Sequence, residues 1–259
     1  MASFLALPGA LAIGLSLGLL GSGGSILTVP VLVYLVGQDE KVAIAGSLFI
    51  VGSIALAGGL QFLRAGFVQW RSVIIFGLPG MLGTYLGAAL AAFLSGAMQL
   101  ALFAVVMLTT SWFMLRPIDL EHADGTERAT WKIAMDGLIV GLITGLVGVG
   151  GGFLIVPALV LLGGLSMHHA VATSLVVIAL KSFSGFYKYL DVLEQQSLQL
   201  DWTTLLTVTG LGILGSIAGS RLARRLQQDK LKRWFGYFLI GMGIFILIRS
   251  APAALGLTP

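Results

Sequence analysis

The chain has 259 residues, of which 57% are hydrophobic and 10% charged, with 36 glycines, no cysteine and a formal net charge of +4. Soluble domains carry about a quarter charged residues, so this composition excludes a soluble enzyme, a nucleic-acid-binding protein and a disordered chain. The absence of cysteine excludes disulfides, thiol chemistry and Cys-ligated metals. The composition therefore predicts an all-α integral membrane protein.

The first half of the chain contains four apolar segments. They cover residues 4–36, 42–63, 73–94 and 98–115. A helix needs about 20 residues to cross a bilayer, so three of these segments fit one crossing each. The first segment is too long for one helix and too short for two, and the run Gly21-Ser22-Gly23-Gly24 interrupts it. We therefore expect a glycine-broken helix at this place.

A polar linker at 116–132 joins this half to a second half with the same pattern. The segments of the second half cover 133–162, which is broken at 148–152, then 169–190, 202–222 and 234–248. The glycine cluster with its trailing proline recurs at an offset of 127 positions, so that 18–30 matches 145–157. Farther along, the pattern of 82–91 recurs in 214–223 at an offset of 132. The chain is predicted to form one membrane domain of two repeats, 1–115 and 133–259.

The distribution of basic residues predicts how the broken segments run. If each broken segment crosses the membrane once, the two sides hold seven basic residues each. If each turns back at its glycines as a re-entrant hairpin, the loops 64–71, 116–132 and 221–233 share one side, with eleven basic residues against three. The positive-inside rule favours the hairpins and makes that side cytoplasmic.

The hairpin arrangement has a consequence for symmetry. Each repeat then contains a re-entrant hairpin and three transmembrane helices, and the odd number of crossings inverts the second repeat relative to the first. Both termini are predicted to lie on the non-cytoplasmic side. Inverted repeats are typical of secondary transporters.

The two glycine clusters form the first candidate site. Non-helical backbone at membrane depth must be shielded by protein or line a wet cavity, so we expect both tips to lie together near the midplane. The returning half-helices would direct unpaired amides at a small anion there. The alternative is that these glycines serve only helix packing. The candidate substrate-binding residues are Gly21, Ser22, Gly23, Gly24 and Ser25 in the first repeat, and Gly148, Gly150, Gly151 and Gly152 in the second.

Hydroxyl groups on the second helix of each repeat extend this candidate site. Ser47 and Ser174 occupy equivalent positions, and Thr173 precedes Ser174. These side chains would complete the anion site, or would bond only to the preceding turn of their own helix.

Lys181 is a further candidate for the same anion. It is interpreted as the only basic residue deep within an apolar segment, roughly 13 Å from the nearer helix end. Intramembrane charges are functional candidates by default, and the alternative is a lysine that leans into a watery vestibule. His168 and His169 are adjacent in a short loop and are interpreted as a surface pair. The sequence predicts no metal site and no other cofactor.

The stretches 18–30, 145–157 and 172–182 carry a resemblance to a known family. They resemble the paired signatures of the TauE/SafE sulfite-exporter family, and the likeness spans nearly the whole chain. The resemblance implies a multi-pass transporter of the bacterial cytoplasmic membrane that exports sulfite, sulfoacetate or a related organosulfonate or carboxylate. It also implies protons as the coupling ion.

An anion channel, a membrane-embedded enzyme and an accessory subunit are the alternatives to a transporter. The apolar segments offer neither a nucleophile with a positioned base nor a ligand set for a metal, which argues against an enzyme. An accessory subunit would not need broken helices. The sequence therefore favours a secondary active transporter that works by alternating access, with membrane lipid and a small anion as its partners.

Overall fold

The computed structural model of the chain describes residues 6–21, 23–115, 130–148, 152–223 and 225–254. Within these ranges the chain forms helices and no strand. The first half contains α1 (Ala6–Leu20), α2 (Gly23–Pro30) with a π-helical continuation over Val31–Val36, α3 (Glu40–Arg64), α4 (Trp70–Phe93) and α5 (Gly96–Leu115). The second half contains α6 (Thr130–Val147), α7 (Gly152–Pro157) with a π-helical continuation over Ala158–Leu162, α8 (Met167–Gln195), α9 (Trp202–Ala223) and α10 (Gln228–Ala254).

Five of the described helices are long and apolar enough to cross a membrane, namely α3, α4, α6, α8 and α9. Shorter apolar helices cover Leu7–Leu20, Gly24–Val36 and Gly96–Trp112. The predicted all-α, multi-pass membrane fold is thus confirmed. Helix α6 begins at Thr130, three residues before the predicted start of its apolar segment, and the rest of the predicted linker lies outside the described residues.

The first broken segment turns back on itself. A methyl group added at Gly9, near the start of α1, would lie 3.1 Å from Val31 Cγ1 and 3.7 Å from Leu35 Cδ1, beyond α2. A methyl group added at Gly24, at the start of α2, would overlap the side chain of Leu17, near the end of α1. Helices α1 and α2 are therefore antiparallel, and they form the hairpin that the glycine cluster predicts.

Backbone landmarks recur at the spacing of the sequence repeat. Positive φ angles occur at Gly21 and Gly148, and again at Gly37 and Gly164, each pair 127 positions apart. Helices end at residues in the left-handed conformation because it lets the last amides bond back to the final turn. The two halves therefore end corresponding helices in the same way, which supports the predicted repeats.

Helices α3 and α8 form the centre of the bundle. Their apolar windows are 78% and 72% buried, against 44% or less for the other three long spans. The two helices are antiparallel, since a methyl group at Gly59 would contact Leu175 and one at Gly185 would contact Leu48. Any residue placed on the facing sides of α3 and α8 is therefore enclosed by both halves of the protein.

The halves are interlaced through glycine contacts. A methyl group at Gly14 of α1 would overlap the carbonyl oxygen of Gly212 in α9, and one at Gly141 of α6 would overlap the carbonyl oxygen of Gly80 in α4. Small residues allow membrane helices to approach this closely. The first helix of each half therefore packs against α4 or α9 of the other half, so neither half encloses its own hairpin.

The bundle has two ends, which we name after a residue near each. At the Lys41 end, α3 begins and α4 finishes, since the Lys41 ammonium bonds to the Ala91 carbonyl at 2.7 Å. At the His168 end, α8 begins and α9 finishes, since a ring nitrogen of His168 lies 3.3 Å from the Ala223 carbonyl. Equivalent elements thus meet at opposite ends.

The two hairpins open at these opposite ends. Val36, the last residue of the first hairpin, lines a pocket together with Asp39 at the Lys41 end. Ile133 and Gly163, from the two legs of the second hairpin, line a pocket with Gln69 at the His168 end. Hairpins that enter from opposite ends agree with the predicted inverted repeats.

Candidate functional site

The turning point of each hairpin is a buried glycine in the left-handed conformation. Gly21 has a φ of 71° and Gly148 a φ of 75°, a conformation that costs glycine little and other residues more. Their amides close the last helical turns with bonds to the Leu17 and Thr144 carbonyls at 2.8 and 2.9 Å. Ser22, Gly150 and Gly151 lie outside the described residues, whereas Gly23 and Gly152 begin the returning helices α2 and α7.

A serine from the opposite half contacts each turning point. The Ser174 hydroxyl lies 3.2 Å from the Gly21 carbonyl oxygen, and the Ser47 hydroxyl lies 3.2 Å from that of Gly148. Each hydroxyl is also 2.8 Å from a carbonyl of its own preceding turn, at Val171 or Ile44. These side chains therefore bond to their own helix and also reach the hairpin tips, and their part in an anion site stays a prediction.

The tips do not lie together at the midplane, and that expectation is wrong. The tip at Gly148 contacts Ser47, near the start of α3, whereas Gly21 contacts Ser174, whose neighbour Leu175 faces Gly59 about twelve residues farther along α3. At 1.5 Å per residue, the tips are about 18 Å apart along the bundle. The first leg of each hairpin, α1 with 15 residues and α6 with 18, is long enough to pass the centre of a hydrocarbon core about 30 Å thick. Helices α2 and α7 contact each other between the tips.

The other candidate hydroxyls have separate partners. Ser25 and Thr28 are buried in α2, and the Thr28 hydroxyl donates to the Gly24 carbonyl at 2.7 Å. Thr173 does not reach a tip through its hydroxyl, which accepts a bond from the Gln69 amide at 3.0 Å and so caps the start of α4. Gly24 is packed so closely on α1 that a methyl group there would overlap Leu17 and the Ile13 carbonyl.

Lys181 is fully buried in the centre of the bundle. Its Nζ has no hydrogen-bond partner among the described residues, and it lies 5.0 Å from the centre of the Phe76 ring. Its side chain fills the space beside Gly80, at the crossing of α4 and α6. Ile54, 127 positions earlier, fills the equivalent space beside Gly212 at the crossing of α9 and α1. The lysine therefore places an amine where the first half has an aliphatic side chain.

A buried polar network that the sequence does not predict lies beside the tip at Gly148. The Lys41 ammonium, 4% exposed, donates to Gln99 Oε1 at 2.5 Å, and Gln99 Nε2 donates to the Leu146 carbonyl at 2.6 Å. Gln99 Nε2 also donates to the Tyr189 hydroxyl at 2.7 Å, and this hydroxyl lies 3.3 Å from the Gly145 carbonyl. These side chains occupy the last carbonyls of α6, which have no partner within the helix.

Lys41, which precedes an apolar segment rather than lying within one, is thus buried as well as Lys181. The two histidines, predicted to form a surface pair in a short loop, lie in the first turn of α8. Both are partly buried, and His169 Nδ1 lies 2.8 Å from the Phe67 carbonyl, with its ring against the Phe67 ring. His168 contacts the end of α9. Lys41, the equivalent residue 127 positions earlier, contacts the end of α4 in the same way. Among the described residues, no three His, Cys, Asp or Glu side chains form a possible metal site.

Comparison with known proteins identifies the family. The sequence profile described as "Sulfite exporter TauE/SafE" matches residues 6–246. The chain belongs to the TauE/SafE family. It is therefore a membrane transporter of the TauE/SafE type and not an enzyme.

Relatives of this TauE/SafE member are spread across bacteria and archaea. A "Probable membrane transporter protein" of Xylella fastidiosa is 35% identical, with 92% of each chain covered. The "Probable membrane transporter protein YunE" of Bacillus subtilis is 28% identical, with 87% of this chain and 90% of YunE covered. The "Probable membrane transporter protein MJ0441" of Methanocaldococcus jannaschii is 24% identical over 94% of this chain and 96% of the relative. No solved structure matches the chain.

Proposed function

We propose that this transporter exports a small anion across the bacterial cytoplasmic membrane by alternating access, with sulfite, sulfoacetate or a related organosulfonate or carboxylate as substrate and protons as the coupling ion. The proposal of an anionic substrate rests on Lys181, whose amine is fully buried and has no hydrogen-bond partner in the described part of the chain. Burying an unpaired charge is costly, and an anion that passes through the bundle would pair with it.

The hairpins supply the rest of the proposed site. The amides at the starts of α2 and α7 favour negative charge. The candidate residues at the two tips, with Ser47 and Ser174, would hold the anion at successive depths, since the tips are about 18 Å apart along the bundle. Lys181 lies on α8 seven residues beyond Ser174, so it would meet the anion between the two tips.

The proposal is tested by replacing Lys181 with methionine in purified protein reconstituted into liposomes. Uptake of radiolabelled sulfite, thiosulfate, methanesulfonate and acetate first identifies the transported anion. We expect Lys181→Met to lower its flux at least tenfold without lowering thermal stability in detergent, because the equivalent crossing already accommodates the aliphatic Ile54. Lys188→Met is the matched control, since Lys188 lies on the same helix but is paired with Asp191 at 2.8 Å. Wild-type flux in Lys181→Met would refute this role.

An anion channel is the alternative function that the structure also supports, because channels contain broken helices as well. The two are separated by counterflow, in which unlabelled anion inside the liposome accelerates entry of labelled anion. A carrier that alternates between two states shows this acceleration and saturates, whereas a channel shows neither. An imposed pH gradient that drives accumulation of the anion would support proton coupling, and its failure would remove protons from the proposal.

A further inference from the structure

Two pockets of opposite character lie at the two ends of the bundle. The pocket at the Lys41 end has a volume of about 320 Å³, and its polar lining comprises Gln38, Asp39, Gln199, Asp201 and Thr204. We call it the acidic pocket. The pocket at the His168 end has a volume of about 220 Å³, and its polar lining comprises Gln69, Arg71 and Ser72. We call it the basic pocket, because the described residues that line it include a guanidinium and no carboxylate.

The pockets occupy equivalent places in the two halves. Asp201 and Thr204 of the acidic pocket lie 132 positions after Gln69 and Ser72 of the basic pocket. The apolar walls correspond as well, since the first hairpin contributes its last residues to one pocket and the second hairpin contributes its last residues to the other. The fold therefore builds an equivalent opening in each half, and the two openings carry opposite charges.

Each pocket is close to a hairpin tip. In the basic pocket, the Gln69 amide bonds to the hydroxyl of Thr173, and the next residue, Ser174, contacts the Gly21 carbonyl. In the acidic pocket, Val42 lies on the helix that carries Ser47, whose hydroxyl contacts the Gly148 carbonyl. These pockets are therefore placed where a solute leaving either tip would reach water.

The acidic charges are fixed in position by helix caps. Asp39 Oδ1 accepts a bond from the Lys41 amide at 2.8 Å. Asp201 caps α9, accepting bonds from the amides of Thr203 and Thr204 and, at 2.5 Å, from the Thr204 hydroxyl. The bond from the Thr204 hydroxyl, followed by that from its amide, lowers the pKa of the Asp201 carboxyl. Asp201 is therefore ionised at neutral pH.

We propose that the two pockets are the vestibules of the transported anion, and that Asp39 and Asp201 weaken its binding from the Lys41 end while Arg71 strengthens its binding from the His168 end. This inference rests on the proposed function. Charge lining a concave surface raises the local concentration of ions of opposite sign and lowers that of like sign. The anion is then captured at the His168 end, which the basic loops predict to be cytoplasmic, and is poorly recaptured after release at the other end.

The test removes the two acidic charges and keeps the helix caps. Asparagine is as good an N-cap as aspartate, so the double variant Asp39→Asn, Asp201→Asn changes charge with little effect on α3 and α9. Glu194→Gln is the matched control, because Glu194 is exposed near the end of α8 and does not line the acidic pocket. Apparent KM is measured separately from each face, in liposomes with the protein in known orientation, for the best-transported anion of the panel above.

We expect the double variant to lower the KM from the Lys41 end by about three- to tenfold at low ionic strength, and the effect to vanish near 1 M salt, where charges are screened within about 3 Å. The KM from the His168 end and the KM values of Glu194→Gln should be unchanged. Arg71→Gln should raise the KM from the His168 end only.

Either of two results overturns the inference. A double variant that transports with wild-type KM from the Lys41 end shows that the acidic pocket is not on the path. Equal changes at both faces show that the residues act on the fold rather than on entry. Absence of saturable flux in the wild-type protein refutes the proposed function itself, so the two failures are distinguishable.

Discussion

At the scale of single residues, two buried side chains show what the membrane interior demands of polar groups. The Tyr189 hydroxyl is bonded to Gln99 and lies near the Gly145 carbonyl, so its burial is compensated. The Lys181 amine has no hydrogen-bond partner among the described residues and lies 5.0 Å from the centre of the Phe76 ring. An unpaired polar group in hydrocarbon costs several kcal/mol, so the network around Tyr189 stabilises the fold and Lys181 weakens it.

Replacing Tyr189 with phenylalanine tests the stabilising network. The change removes the hydroxyl that Gln99 Nε2 bonds to and should lower the free energy of unfolding by about 1–2 kcal/mol. The ring itself fits, because the equivalent residue of the first half is the buried Phe62. Tyr187→Phe is the control on the same helix, since Tyr187 is 66% exposed. Thermal unfolding in detergent measures both variants, and equal midpoints would contradict the network's role.

The sequence predicts some of these residues and not others for a physical reason. Lys181 stands out because no other charge interrupts the middle of an apolar segment. Lys41 does not, because it follows a loop, and a lysine in the first turn of a helix ordinarily reaches water. Gln99 and Tyr189 are 90 positions apart, and only the packing of α5 against the ends of α6 and α8 joins them. Side chains that act through such long-range contacts have no local signal.

At the scale of helices, glycine decides which surfaces meet. Gly14 and Gly18 of α1 lie against the backbone of α9 at Gly212 and Ser216, and Gly141 lies against Gly80 of α4. In lipid, helix association depends on such close packing because there is no hydrophobic drive between helices. These crossings therefore determine where the hairpins sit.

A pair of glycine-to-alanine substitutions tests this packing. In Gly14→Ala, the new methyl group overlaps the Gly212 carbonyl, so α1 must move away from α9, at a cost of about 2–3 kcal/mol. In Gly210→Ala, on α9, nothing lies within 4 Å of the new methyl group, and the higher helix propensity of alanine should leave stability equal or up to about 1 kcal/mol higher. The thermal unfolding midpoint should fall for Gly14→Ala and should stay equal or rise for Gly210→Ala, and a Gly14→Ala protein of wild-type stability would show that the crossing tolerates separation.

Helix positions could be predicted from the sequence, but helix partners could not. Segment length, the glycine interruptions and the recurring proline predict the two broken helices, because these features depend on local chemistry. The glycine pattern at 83 and 87 predicts a packing face without saying which helix covers it. In the structure α6 covers that face, since methyl groups at Gly83 and Gly87 would overlap the Leu138 and Leu142 carbonyls. The same limit explains why the tips were expected to meet, since their depth depends on this packing.

At the scale of the whole molecule, the interlaced halves constrain any transport movement. The backbone of α1 lies against that of α9 from the second half, and the backbone of α6 lies against that of α4 from the first. A rigid first half rocking against a rigid second half would break both crossings. The alternating access that we propose would instead keep each hairpin together with its partner helix from the other half, beside the central pair α3 and α8.

The inversion of the two halves in the membrane is open to a direct test, because the chain contains no cysteine. Ala65 and Gln196 are exposed in equivalent loops, after α3 and after α8. Inverted halves put these loops on opposite faces, and the excess of basic residues predicts that the loop at Ala65 is cytoplasmic. In intact cells, a membrane-impermeant maleimide should therefore label Gln196→Cys at once and Ala65→Cys only after permeabilisation. Labelling of both from the same face would contradict inverted repeats and would leave the two charged pockets without the sidedness that export requires.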